Sequence, residues 1–290
     1  MSDFILDIRD LRLAFKVYEG MTEVLHGISL NIRRGEKVAL VGESGSGKSV
    51  TARIILGLLH ELKTARISGR VLFNGDDLET QPISVRHGLR GTAISMIFQD
   101  PTSSLNPVYS IGVQFEDVLR RGDRRISSKS AQDRAVSLLR DVAIPDPERV
   151  LVSYPFQLSG GMNQRVMIAM ALANEPSLLI ADEPGTALDV TVQAQTLNLM
   201  RDLVERKATS VLFISHNLGV VREFADRVYV IYKGRLVEHG ATEELFHRPR
   251  HPYTRALMDA VPRITGGGIP EISESDAGFA DPMIDHEVIS

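Results

Sequence analysis

The sequence predicts an α/β fold built on a parallel sheet covered by helices. Short, almost wholly apolar runs recur along it: Val38-Ala39-Leu40-Val41, Ile94-Ser95-Met96-Ile97-Phe98, Leu178-Leu179-Ile180-Ala181, Val211-Leu212-Phe213-Ile214 and Val228-Tyr229-Val230-Ile231. Runs of this length read as strands buried on both faces. Stretches with helical spacing separate them, and strands alternating with helices imply a parallel sheet. The first 30 residues differ. Phe4–Ile8, Leu11–Phe15 and Ile28–Ile32 tend to alternate apolar with polar residues, which predicts an antiparallel subdomain with one face exposed.

Composition bounds the class of protein. The chain has 290 residues, 43% of them apolar and 24% charged, and no cysteine. That is ordinary globular usage, so wholesale disorder, collagen and a disulfide scaffold are excluded. Without cysteine there is no thiol catalysis, zinc ribbon or cysteine-ligated iron–sulfur cluster. No apolar run approaches the roughly 18–20 residues of a membrane span. The N-terminal segment carries early acids and no basic stretch, so no signal peptide is expected and a cytosolic chain is. The formal charge of −4 belongs to the C-terminal end: past Arg263 there are six acids (Glu271, Glu274, Asp276, Asp281, Asp285, Glu287) and no lysine or arginine. The rest is near neutral, which gives no electrostatic argument for a nucleic-acid partner.

The remaining elements follow in order. A helix is expected from Ser49 to Leu59. The stretch from about 102 to 165 changes character, with helical periodicity at Ala135, Leu138, Leu139 and Val142 and a basic run at Arg120–Arg125. It reads as a small helical subdomain inserted into the α/β core. Val190, Ala194, Leu197, Met200 and Val204 recur at steps of three or four, which predicts an amphipathic helix over 190–206. From 264 to 290 the Gly266-Gly267-Gly268 run, acids and serines predict an acidic flexible tail.

Gly42-Glu43-Ser44-Gly45-Ser46-Gly47-Lys48-Ser49 fits G-x-x-x-x-G-K-[ST], after a strand and before a helical pattern, as a phosphate loop requires. Glycines let successive backbone N–H groups turn onto a phosphate with no Cβ in the way. The helix N-terminus adds partial positive charge. Lys48 is expected to reach the β- and γ-phosphates, with the Ser49 hydroxyl as a magnesium ligand. An incidental glycine-rich turn is a poor alternative, because chance rarely produces the whole pattern.

Further candidates stand at strand ends. Leu178–Ala181 runs into Asp182-Glu183. Asp182 suits magnesium, and Glu183 could polarise an attacking water. Gln99 directly follows the run Ile94–Phe98, where an amide can ligate magnesium or hold a water. His216 follows Val211–Ile214, and the C-terminal end of a parallel strand faces the ligand crevice. Singly, each has a bland reading as a loop or strand-end residue. Leu158-Ser159-Gly160-Gly161-Met162 then precedes a helical run from Asn163 to Ala173, a second anion site by the same physics. One nucleotide does not need two such sites, so the economical reading is that this one serves a nucleotide held by another subunit.

This ordered set resembles the ATP-binding subunit of ABC transporters, over about residues 4–262. In that resemblance 42–49 is Walker A, Gln99 the Q-loop glutamine, 158–162 the signature and 178–183 Walker B. Ala187-Leu188-Asp189 is the D-loop and His216 the switch histidine. The resemblance implies a P-loop NTPase with a RecA-like core, an N-terminal antiparallel β-subdomain and an inserted helical subdomain, within an ABC ATPase domain over residues 1–263. It implies ATP and Mg2+ as ligands. It further implies two ATP molecules sandwiched between two such subunits, each held by one Walker A and the partner's Ser159-Gly160-Gly161 segment. Glu183 would be the general base and Asp189 would bridge the two sites. Phe15 would stack on adenine, with Tyr18 as the alternative.

Two stretches narrow the resemblance to dipeptide, oligopeptide and nickel importers: Gln99-Asp100-Pro101-Thr102-Ser103-Ser104-Leu105-Asn106-Pro107, and Arg250-His251-Pro252-Tyr253-Thr254-Arg255-Ala256-Leu257 with Val261-Pro262. The second lies in a C-terminal region of about 240–263. Met162 stands where many relatives carry glutamine. Gly185 replaces a usual threonine, which loosens that turn. The implied partners are a second ATPase subunit, as a paralogue or an identical copy, two membrane-spanning permease subunits, and, indirectly, an extracellular solute-binding protein. The implied location is peripheral, on the cytoplasmic face of the membrane. The competing class is a soluble ABC ATPase acting in DNA repair or on ribosomes. Such proteins tend to carry paired cassettes, coiled coils or basic extensions, none of which is visible here.

Overall fold

The computed structural model describes residues 3–18, 20–185, 189–259 and 284–285. Val261-Pro262, the D-loop residues Ala187-Leu188 and most of the expected tail lie outside the described residues. The elements begin with β1 (Phe4–Val17), β2 (Gly20–Arg33), β3 (Lys37–Val41), α1 (Lys48–Ile55), β4 (Ala65–Phe73), β5 (Asp76–Asp77) and α2 (Ile83–Leu89). There follow β6 (Ile94–Ile97), α3 (Pro101–Ser104), α4 (Ile111–Gly122), α5 (Ser128–Asp141), α6 (Pro147–Val152), α7 (Gly160–Leu172) and β7 (Leu178–Asp182). The chain continues with α8 (Val190–Arg206), β8 (Ser210–Ser215), α9 (Leu218–Phe224), β9 (Arg227–Tyr232), β10 (Arg235–Ala241), α10 (Thr242–His247), α11 (Pro252–Asp259) and β11 (Ile284–Asp285). These form two compact units: Met1–Arg86 with Leu212–Ser290, and His87–Val211.

In the first unit β1, β2, β4 and β5 form an antiparallel sheet in the order β2-β1-β4-β5. The short N-terminal strands expected from the alternation merge into two strands of 14 residues each. The break read between Ile8 and Leu11 is a bulge inside β1, where Asp10 takes a φ of 47° and its N–H donates to the Ser29 hydroxyl oxygen at 2.9 Å. The first half of β2 is exposed, so no buried face marked it in the sequence. β3 pairs parallel with β9, β9 antiparallel with β10, and β10 parallel with β11 through Glu238 and His239. Ile284–Asp285 are thus the part of the expected tail that the structure describes.

The residues of β3 and β9 are buried almost throughout, which fits their apolar runs. A buried arginine ties β9 to the turn before β3. Arg227 Nε donates to Glu36 Oε1 at 2.8 Å, Nη1 to Tyr229 Oη at 2.9 Å and Nη2 to the Asn31 carbonyl at 2.9 Å. All three guanidinium nitrogens thus have a partner, and the charge is met by Glu36, as burial demands.

In the second unit β6 and β7 pair in parallel, with helices α3–α7 between them in the chain. Phe115, Leu119, Ala135, Leu138, Leu139 and Leu151 make an apolar core for α4, α5 and α6. Several helices start where a short polar side chain caps a free N–H. Ser110 accepts from Val113 N, Ser127 from Ser130 N, Ser159 from Met162 N and Asp189 from Val192 N. α8 covers the span its periodicity predicts, with Leu197, Met200 and Val204 buried. Part of the basic run is structural: Arg120 donates to Glu116, one turn earlier, and Arg121 Nε to the Arg90 carbonyl at 3.1 Å.

Candidate functional site: a phosphate loop and a Gln–Glu pair

The phosphate loop leaves β3 and enters α1. Gly47, the residue before the helix, has a φ of 110°, and a Cβ there would lie 2.6 Å from Leu25 Cδ2. Only glycine meets both demands at once. The loop is braced from within: Ser46 N donates to the Glu43 carbonyl at 3.2 Å, and Thr51 Oγ1 to the Gly47 carbonyl at 2.8 Å. Glu43, Ser44 and Gly45 form its exposed tip, whereas Gly42, Ser46 and Gly47 are buried. The Ser46 hydroxyl is buried without a hydrogen-bond partner. Lys48 is 5% exposed, and its Nζ donates to the carbonyls of Gly42 at 2.8 Å and Glu43 at 2.7 Å. The ammonium is therefore folded back onto the carbonyls of its own loop.

The other candidates of this unit sit on open surface. Phe15, near the end of β1, is half-buried, and Tyr18 in the following turn is fully exposed. His216 is exposed directly after β8. Its backbone position is set by the next residue: Asn217 N donates to Ser215 Oγ at 3.0 Å, and Asn217 Oδ1 accepts from Gly219 N and Val220 N to start α9.

In the second unit β7 ends on Asp182, which is 6% exposed. Glu183 then turns with a φ of 50°, a left-handed conformation that costs a non-glycine residue free energy and is common where a side chain must be aimed. The structure brings Gln99 to it: Gln99 Nε2 donates to Glu183 Oε2 at 2.9 Å. Gln99 follows β6 by one residue more than the sequence suggested, because Phe98 leaves the strand and is 41% exposed. Gly185 has a φ of 97°, and a Cβ would lie 3.1 Å from Gln193 Cγ. The glycine thus answers a backbone requirement of the turn, beyond the loosening expected of it. Ser159 is exposed at the start of α7 with Gly160 and Gly161 behind it, as an anion-binding helix terminus requires. Asp189 is exposed and caps α8, its Oδ1 accepting from Val192 N at 3.0 Å.

The magnesium candidates are a hydroxyl (Ser49), a buried carboxylate (Asp182) and an amide (Gln99). Each offers an oxygen donor of the kind Mg2+ accepts beside water and phosphate. Among the described residues no group of three or more His, Cys, Asp or Glu is placed to hold a metal ion.

One contact had no signal in the sequence. The Tyr253 phenol, fully buried on α11, accepts the backbone N–H of Glu43 at 3.0 Å. Burial pushes this phenol well above its ordinary range, so it stays neutral. The turn into α11 is capped by His251, whose Nδ1 accepts from Tyr253 N at 3.2 Å, while Thr254 lies buried inside the helix.

Comparison with known proteins agrees with these features. Residues 25–186 match the ABC transporter family, and residues 237–279 match the C-terminal region of oligopeptide/dipeptide transporters. The chain is 47% identical, over 98% of its length and 85% of the relative's, to a probable peptide ABC transporter ATP-binding protein of Sinorhizobium fredii. It is also 47% identical, over 93% of its length and 75% of the relative's, to the oligopeptide transport ATP-binding protein OppD of Bacillus subtilis. Among solved structures it is similar to a dimeric ATP-binding cassette in a post-hydrolysis state bound to ADP and Pi. That likeness has a TM-score of 0.72 at 28% identity, covering 82% of this chain and 98% of the other. The phosphate loop, the Walker B strand, the signature helix and the matched C-terminal region thus agree in one conclusion: the chain belongs to the ABC transporter ATP-binding family.

Proposed function

We propose that this chain hydrolyses ATP to power uptake of peptides, or of a closely related small solute, through partner permease subunits. The observation that carries the peptide assignment is the match of residues 237–279 to the oligopeptide/dipeptide transporter C-terminal region. The relatives named above are transport subunits, which leaves a soluble repair or ribosomal ATPase without support.

The residues take the following roles. Backbone N–H groups of 42–49 and the Lys48 ammonium bind the β- and γ-phosphates and neutralise charge as it develops. Ser49, Asp182 and Gln99 would hold Mg2+, which when bound would supply Lewis-acid chemistry. Glu183 accepts a proton from the attacking water. Gln99, already on the Glu183 carboxylate, orients it. His216 holds the γ-phosphate and the water. Phe15 stacks on the adenine. Ser159, Gly160 and Gly161 take the phosphates of a nucleotide on a second ATPase subunit, and Asp189 links the two sites.

Among the described residues no helix is long and apolar enough to cross a membrane. The proposed membrane-spanning partners rest on the likeness to transporter ATP-binding subunits. The second unit offers apolar surface for them. Val108 (71%), Val152 (71%) and Phe156 (74%) are exposed, and the Ile111 N–H to Ser153 carbonyl bond at 2.9 Å brings their segments together. We assign this surface to the cytoplasmic helices of the permeases, with the chain peripheral on the cytoplasmic face. The test is uptake of labelled di- and oligopeptides by cells whose native copy is replaced by Lys48→Ala. Uptake should be lost; peptide uptake at the wild-type rate would overturn the assignment.

A further inference from the structure

Tyr253 and the phosphate loop are 210 positions apart in the chain, yet they share a hydrogen bond. The bond grips a particular peptide unit. The N–H of Glu43 and the C=O of Gly42 belong to one planar group. The N–H donates to Tyr253 Oη at 3.0 Å, and the C=O accepts from Lys48 Nζ at 2.8 Å. One peptide plane is therefore held at both ends, by the C-terminal region and by the residue that is to meet the phosphates.

Tyr253 is itself firmly set. Its ring lies 4.4 Å, centroid to centroid, from that of Tyr232. The turn that leads into α11 is fastened to β10 by a fully buried carboxylate: Glu238 accepts from Arg250 N at 2.8 Å and from His251 N at 3.1 Å. His251 Nδ1 then accepts from Tyr253 N. At the other end of the exposed loop tip, Gly234 N donates to the Ser46 carbonyl at 2.9 Å, so the β9–β10 turn holds the loop's second anchor. These two bonds brace Glu43-Ser44-Gly45-Ser46 from outside the loop.

We propose that Tyr253 is a positioning residue of the phosphate loop, and that the segment around β10 and α11 is part of the nucleotide-binding apparatus. This rests on the reading that 42–49 binds nucleotide phosphates. A cradle of N–H groups binds an anion well only if its peptide planes are oriented beforehand. Tyr253 fixes the first of those planes and, through the shared carbonyl, the resting place of Lys48. Removing the phenol oxygen frees the plane to rotate, and nucleotide binding must then restore the order.

The test uses the full chain with Tyr253→Phe, which keeps the ring and its packing on Tyr232. The readouts are affinity for MgADP, KM and kcat for MgATP, and amide hydrogen exchange over 42–49 in the nucleotide-free protein. The Kd and KM should rise about threefold to tenfold, the loss of one hydrogen bond's worth of order. The kcat should stay within about twofold, because the chemistry is untouched. Exchange over 42–49 should quicken. Wild-type Kd and KM, or a fall in kcat at unchanged KM, would overturn the proposal. Lys48→Ala measured alongside separates the two readings. If it binds MgADP like wild type, the phosphate-loop reading falls. If it loses binding while Tyr253→Phe matches wild type, only the role of Tyr253 falls. Glu238→Gln, which loosens the turn carrying Tyr253, is the second variant; it should raise Kd in the same direction, and unchanged affinity in both variants would overturn the proposal.

Discussion

Gln99 donates its side-chain amide to the Glu183 carboxylate across 2.9 Å, joining residues 84 positions apart. A carboxylate that must take a proton from water works only if it is aimed. Its left-handed backbone supplies one constraint, and the amide supplies the other. Gln99→Ala removes the donor and should lower ATP turnover about tenfold. Gln99→Glu should be worse, because it sets a second negative charge against the Glu183 carboxylate in place of a donor. Turnover of Gln99→Glu at the wild-type rate would show that the two groups do not work as a pair.

At Gly47 the backbone and the space both exclude a side chain. Gly47→Ala forces a Cβ against Leu25 at a positive φ, at a cost of about 1 kcal/mol or more. The loop must deform, so the variant should lose nucleotide binding more than global stability. Isothermal titration with MgADP and a urea midpoint measure the two effects separately, and a variant with unchanged affinity would contradict the geometry.

Arg227 is 4% exposed and satisfied by Glu36, Asn31 and Tyr229. Arg227→Ala leaves Glu36, itself largely buried, with only the more distant Arg33 at 3.9 Å as a charge partner, which should destabilise the first unit by about 3 kcal/mol. Urea unfolding reads this directly. Replacing both partners with apolar residues should cost less than replacing Arg227 alone, since no uncompensated charge remains.

Tyr229 and Tyr253 are both held neutral by burial, so each ionises in the folded protein above its ordinary range. In the unfolded chain a tyrosine loses its proton near pH 10. The folded state thus binds more protons at high pH, and stability must fall as pH rises beyond about 10, while it is fully present below that. Denaturant midpoints across the alkaline range should show the decline, and Tyr253→Phe should flatten it. A midpoint that does not move with pH, or the same slope in the variant, would contradict this.

Several buried strands were legible because they are apolar almost throughout: β3, β7, β8 and β9 lie on the runs that predicted them. α8 was legible from periodicity alone; that Asp189 caps it came only with the structure. β10 was not, because Glu238 and His239 stand in its middle; both are buried there by tertiary partners, the N–H groups of Arg250 and His251 for one and the ring of Tyr229 for the other. β4 was hidden by Gly69 and by arginines on its exposed face. Motif spacing identified the phosphate loop and the strand-end acids, since local backbone chemistry sets them. The Gln99–Glu183 and Tyr253–Glu43 contacts join residues far apart in the chain, and no local pattern encodes such a meeting.

The central claim is that this chain turns over ATP with Glu183 as the proton acceptor. The measurement that tests it most directly is Glu183→Gln, assayed for MgATP binding and for hydrolysis in one preparation. The amide keeps the size and the polar surface of the side chain but cannot take the proton. Binding should match wild type, while turnover should fall about a hundredfold or more. Hydrolysis at the wild-type rate in that variant would contradict the account.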